Sequence, residues 1–165
     1  MVEVRLTAVR VDLQSNTPVV LLQERDGARS LPIFIGAPEA TAIAFALQGV
    51  AVPRPMTHDL MKDLLAALGA TVTRVVVTEL RESTFYAEVH LRLGEQAIEV
   101  SSRPSDAIAL AVRTHAPLFV EDELMESAGI VVETEEEGEE GVSPEELVGE
   151  FREFLDNVRP EDFSD

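Results

Sequence analysis

A chain of 165 residues, 45% of them apolar, is long enough to bury one core with room for an appendage. It has no cysteine, which excludes disulfides, thiolate metal sites and cysteine nucleophiles and suits a reducing compartment. The net charge of −18 is unevenly placed: residues 1–120 hold 11 basic and 13 acidic residues, whereas 121–165 hold 2 and 18. No segment approaches the roughly 20 apolar residues of a membrane span. Charge also interrupts the N-terminal segment, so a signal peptide is not expected and a cytoplasmic location without membrane contact is.

The first 35 residues read as three strands. Val2, Val4, Leu6, Ala8 and Val11 alternate loosely with charges, and Ser15-Asn16-Thr17-Pro18 signals a turn before the apolar run Val19 to Leu22. Asp26-Gly27 turns the chain again into Leu31-Pro32-Ile33-Phe34-Ile35. Gly36 breaks that strand, Pro38 opens a helix, and Ala40, Ile43, Ala44 and Leu47 share one face until Gly49 stops it.

A proline-stiffened connector, Val50 to Pro55, leads to a helix from about His58 to Leu68, stopped by Gly69. Leu60, Leu64 and Leu68 recur every four residues, beside Met61 and Leu65, so this stripe is expected to face the core. Strands are expected over Thr71 to Leu80, Phe85 to Leu93 and Gln96 to Ser101. Pro104 then opens a helix to about His115, followed by a strand at Leu118 to Val120 and a short helix near Asp122 to Ala128. Three strands, a proline and a helix thus occur twice, which predicts a duplicated βββα unit in an α+β domain of mainly antiparallel strands.

That domain is expected over residues 1–130. An acidic linker follows at 131–142, where disorder is expected, and its stretch Glu133 to Gly141 has no apolar anchor. Residues 143–165 form an acidic tail in which Ser143-Pro144-Glu145-Glu146 is a strong helix start and Leu147, Val148, Phe151, Phe154 and Leu155 share one face. Such a short amphipathic helix needs the domain or a protein partner to dock on. The charge run serves as a solvated segment, or else imitates nucleic-acid charge over a basic groove.

Two segments carry the chemistry: Arg54-Pro55-Met56-Thr57-His58-Asp59-Leu60-Met61 and Arg103-Pro104-Ser105-Asp106-Ala107-Ile108. Each sets an arginine, a proline, a hydroxyl residue and an aspartate where an apolar helical pattern begins. The hydroxyls of Thr57 and Ser105 can cap the helix, and the aspartates suit the positive end of its dipole. The arginines either pair with those aspartates or receive a phosphate, which their planar forks fit.

Together with Pro32-Ile33-Phe34-Ile35-Gly36, Glu39-Ala40, Leu68-Gly69 and Ala109-Leu110-Ala111, these segments resemble the bacterial bifunctional nuclease family from about Met1 to Ala128. The resemblance implies a compact α+β fold, homo-oligomers and cleavage of both DNA and RNA; the acidic tail lies outside it. If DNA is cut, the ribose 2′-hydroxyl cannot be the nucleophile and water must attack. That water needs a metal or a general base to activate it, and the developing charge needs cations or N–H donors.

His58, at a helix start near an arginine, is the best base candidate, or else a loop-bonding residue. His90 and His115 read as structural. His58, Asp59 and Asp106 form the candidate catalytic set, with Arg54 and Arg103 as phosphate contacts. Glu39, Asp59 and Asp106 are weak candidate ligands for a divalent metal such as Mg2+. The other reading of these carboxylates is capping with ion pairs to Arg54 or Arg103.

Strand arginines Arg5, Arg10, Arg25, Arg29, Arg74, Arg81 and Arg92 form a backbone-tracking patch or simply the wet face of a sheet. No strand presents several aromatics for base stacking, so weak, backbone-directed, salt-sensitive nucleic-acid binding is expected. The alternative is a non-catalytic interaction or regulatory domain whose Arg-Pro-Asp segments are structural and whose acidic tail binds a protein partner.

Overall fold

Two antiparallel meanders, joined through a short central strand, organise the protein; the structure, a computed structural model, describes residues 1–131. The first meander is β1 (Val2–Asp12), β2 (Thr17–Glu24) and β3 (Arg29–Phe34), and it leads into α1 (Ala37–Gln48). After α2 (Thr57–Ala67), the second meander is β4 (Ala70–Arg81), β5 (Thr84–Leu93) and β6 (Gln96–Ser102), which leads into α3 (Pro104–Thr114). The described chain closes with β7 (Leu118–Val120), α4 (Asp122–Ala128) and β8 (Ile130–Val131).

The eight-stranded sheet runs β6-β5-β4-β7-β1-β2-β3-β8. β7 pairs antiparallel with β1 and parallel with β4, so it joins the inner strands of the two meanders. In each unit the outermost meander strand leads straight into a helix carrying proline in its first turn. The duplicated βββα layout is therefore the α+β architecture itself. The linker and terminal helix expected beyond Val131 lie outside the described residues.

Strand alternation explains the core. β2 buries Pro18, Val20, Leu22 and Glu24 on one face, and Val20 and Leu22 join Leu31, Ile33, Val75, Val77, Ile108 and Leu110 in one continuous cluster. α1 and α3 pack against each other, and α2 packs against α3. The alanines of α1 and α3 permit that close approach: Ala40, Ala44, Ala107 and Ala109 are all fully buried.

The structure corrects two sequence expectations. α2 turns His58 inward with Met61 and Leu65 beside the core, while Leu60, Leu64 and Leu68 stay 50%, 55% and 72% exposed. The helix has two apolar stripes at helical spacing, and only packing against α3 decides which is covered. The caps also differ. Met56 and Arg103 occupy the N-cap positions of α2 and α3, with no side-chain cap bond at either, so Thr57 and Ser105 fall inside the first turns.

Candidate active site

The first turns of all three major helices meet in one chain of polar contacts. Asp106, in the first turn of α3, accepts a 2.9 Å bond on Oδ1 from Nε2 of His58, in the first turn of α2. Arg103, the N-cap residue of α3, donates Nε to Asp106 Oδ2 at 2.7 Å and Nη2 to Asp106 Oδ1 at 3.1 Å. The same Nη2 reaches Glu39 Oε1, in the first turn of α1, at 3.1 Å. Residues 48 and 64 positions apart are thus neighbours. Gly36 permits the α1 end of this arrangement, because a Cβ there would collide with Oε2 of Glu39.

Burial separates the members. The His58 side chain is buried, those of Glu39 and Asp106 are partly exposed, and Arg103 is 66% exposed. Arg103 Nη1 has no partner among the described residues, so one edge of the guanidinium faces outward. Burial alone would push the Asp106 carboxyl up, but the bonds from Arg103 and His58 outweigh it and hold the group below its ordinary value. Asp106 in turn holds the Arg103 guanidinium above its ordinary value, with Glu39 contributing less. Ionised Asp106 can only accept, so Nε2 of His58 carries a hydrogen, and in a neutral ring the lone pair falls on Nδ1.

Asp59 goes elsewhere. Its Oδ1 accepts from Arg113 Nε at 2.6 Å, and its Oδ2 from the Met56 backbone N–H at 3.0 Å. Arg113, only 6% exposed, also donates to the carbonyls of Ala109 and Ala42, both at 2.9 Å. The expected aspartate–arginine pairing therefore exists for Asp59, but with Arg113 rather than Arg54 or Arg103. Burial raises the Asp59 carboxyl, and Arg113 and the Met56 N–H bring it below its ordinary value.

Arg113 escaped the sequence reading, although a usable signal was present. It lies seven residues after Asp106 in an otherwise apolar helix, where a charge on an inward face requires a partner. Arg54 is exposed and has no ion pair among the described residues.

Other candidates are dispersed. Arg25, Arg29 and Arg81 pair with Glu3, Glu24 and Glu79, and Arg5 donates to Gln23. His90 lies between Glu88 and Glu99, 3.4 Å from each, and His115 ends α3 in the left-handed conformation. Among the described residues no three metal-ligating side chains come together. The weak candidate ligands Glu39, Asp59 and Asp106 are each bound by a guanidinium. This donor set does not fit a resident divalent cation, which asks for free oxygen ligands.

A cleft of about 320 Å³ adjoins Arg103, lined by the end of β3, the β4–β5 turn and the start of α3. The two βββα junctions, at Gly36 and at Pro104, thus share one opening. No helix among the described residues is long and apolar enough to cross a membrane.

Residues 20–133 match the family model described as the bifunctional nuclease domain. An uncharacterised protein of Mycobacterium tuberculosis is 47% identical over 165 residues, 99% of this chain and 98% of the relative. Bifunctional nuclease 1 of Arabidopsis thaliana is 31% identical over 119 residues, 70% of this chain and 37% of the plant protein. Bifunctional nuclease 1 of Oryza sativa subsp. japonica is 28% identical over 117 residues, 69% of this chain and 35% of the rice protein. The similarity to the plant proteins spans only about a third of their length.

Proposed function

The chain belongs to the bifunctional nuclease domain family, and from that premise we propose that it hydrolyses phosphodiester bonds of DNA and RNA by activated-water attack. The observation that carries this reading is the His58–Asp106–Arg103 constellation, a base, its orienting carboxylate and a half-free guanidinium contributed by two helix starts. His58 Nδ1 takes a proton from water as the water oxygen bonds to phosphorus. Asp106 fixes the ring tautomer and stabilises the imidazolium that forms. Negative charge growing on the phosphoryl oxygens meets the outward Nη1 edge of Arg103 and the positive ends of α1 and α3. The bond from phosphorus to the leaving oxygen then breaks, and solvent protonates that oxygen.

Exposed Arg54, without an ion pair among the described residues, supplies a second phosphate contact, while Asp59 serves through Arg113 as a positioning residue. Glu39, Asp59 and Asp106 are each held by a guanidinium, which supports imidazole as the group that activates the water. Backbone-directed affinity stays weak and salt-sensitive in a near-neutral body.

Highly purified wild type is compared with His58→Ala and Arg103→Ala on labelled DNA and RNA, with magnesium and with chelator. His58→Ala loses about 10²- to 10⁴-fold in rate, the usual size of general base catalysis, while its unfolding midpoint shows a retained fold. Equal cleavage by all three proteins would assign the activity to a contaminant and reject the reading.

A non-catalytic interaction domain is the second reading, and the exposed stripe Leu60, Leu64 and Leu68 on α2 favours it. Self-association through that face, by an otherwise inactive wild type, would move the conclusion there.

A further inference from the structure

Phe34 is the one exposed aromatic residue among the described residues, at 58%, and it lines the cleft beside Arg103. Its strand neighbours Ile33 and Ile35 are buried, so the alternation of β3 turns Phe34 outward at the strand end. Phe85, the second aromatic in the cleft, packs partly against the core. Pro104 adds an apolar wall, while Ser83 and Thr84 bring hydroxyls. The turn that carries Ser83 is strained: Glu82 and Ser83 sit at φ 48° and 62°, where glycine or asparagine is usual. Aromatic side chains from two different strands, β3 and β5, therefore line one cleft, an arrangement invisible to a strand-by-strand reading.

We propose that this cleft holds one unstacked nucleobase against Phe34 while Arg103 takes the adjoining phosphate, which makes single-stranded nucleic acid the substrate class of the site. The inference rests on the hydrolase reading for the role of Arg103. A volume of about 320 Å³ lies at the small end of ligand pockets, roughly 300–1,000 Å³, and suits one nucleoside rather than a run. Aromatic faces beside a guanidinium are the combination by which single strands are held without sequence preference, because every base has a π-face. A base paired within a duplex is already stacked on both sides and cannot enter.

Fluorescence anisotropy at low salt tests this with the full chain and a labelled phosphorothioate oligothymidylate, which resists hydrolysis. An abasic strand of equal length and a blunt duplex are the comparisons. The wild type binds oligothymidylate more tightly than either. Phe34→Ala weakens that binding about 5- to 150-fold, the range of base–aromatic stacking, and leaves the abasic strand unchanged, whereas Phe34→Tyr restores it. The inference is overturned if abasic and base-bearing strands bind alike, if Phe34→Ala weakens both equally, or if the duplex binds best.

Failure of the hydrolase reading is separable. Phe34-dependent binding without cleavage leaves the cleft standing and removes hydrolysis. Equal cleavage of duplex and single strand, indifferent to Phe34, does the reverse.

Discussion

Two helix-start aspartates of this protein pair with arginines: Asp106 with Arg103 three residues before it, and Asp59 with Arg113 in the last turn of α3, and the two arginines are opposite in environment. Asp106–Arg103 is at the surface, its arginine 66% exposed with one guanidinium edge open to solvent. In Asp59–Arg113 the arginine is only 6% exposed and makes two further bonds, to the carbonyls of Ala109 and Ala42. The first guanidinium can meet a ligand from solvent, and the second is shut away from it. Each arginine makes three side-chain bonds, so an aspartate–arginine pair is a site or a clamp according to whether the fold leaves the guanidinium in solvent or buries it.

The largest effect separating the two falls on stability. Arg113→Ala takes the buried guanidinium from Asp59, which keeps only its bond from the Met56 N–H, and should cost up to about 3 kcal/mol in denaturant unfolding. Arg103→Ala should cost under about 1 kcal/mol, as exposed ion pairs do, while abolishing tight phosphate contact. Equal destabilisation by the two changes would break the contrast between clamp and site.

Coupling energies sharpen the same contrast at smaller amplitude. A double-mutant cycle on Asp106 and Arg103 should give about 0.2–1 kcal/mol and shrink as salt is raised. The cycle on Asp59 and Arg113 should be larger, about 1.5–3 kcal/mol for a charge-assisted bond, and insensitive to salt. Salt dependence of both cycles to the same degree would show that Arg113 is solvated.

Acid reports the smallest difference. Both aspartates are held below their ordinary values in the folded protein. Their contribution is therefore fully present above the unfolded carboxylate value of about 3.9, and it disappears as pH falls through the lower folded values. Stability measured from pH 6 downward should decline below about pH 4. Asp59→Asn should flatten part of that decline, and an unchanged acid limb would show that Asp59 titrates as it does in the unfolded chain.

Much of this was legible in the primary structure. Alternating strands, glycine stops and the prolines of α1 and α3 reported the elements, because each depends on local backbone chemistry. The duplication was readable for the same reason. The partners were not: which arginine meets Asp59, and that His58 meets Asp106, depend on the packing of α1, α2 and α3. The leucine stripe of α2 misled because periodicity gives the spacing of a face and not its direction.

By itself the sequence determined that two βββα units, with helix-start aspartates and arginines, would build an α+β domain. Tertiary packing alone decided that the starts of α1, α2 and α3 converge, that Arg113 is buried while Arg103 keeps an open edge, and that Phe34 and Phe85 share a cleft. The physical reason is range. Secondary structure follows from forces acting over a few residues, whereas a site joins side chains 48 and 64 positions apart, whose meeting depends on how the whole core closes.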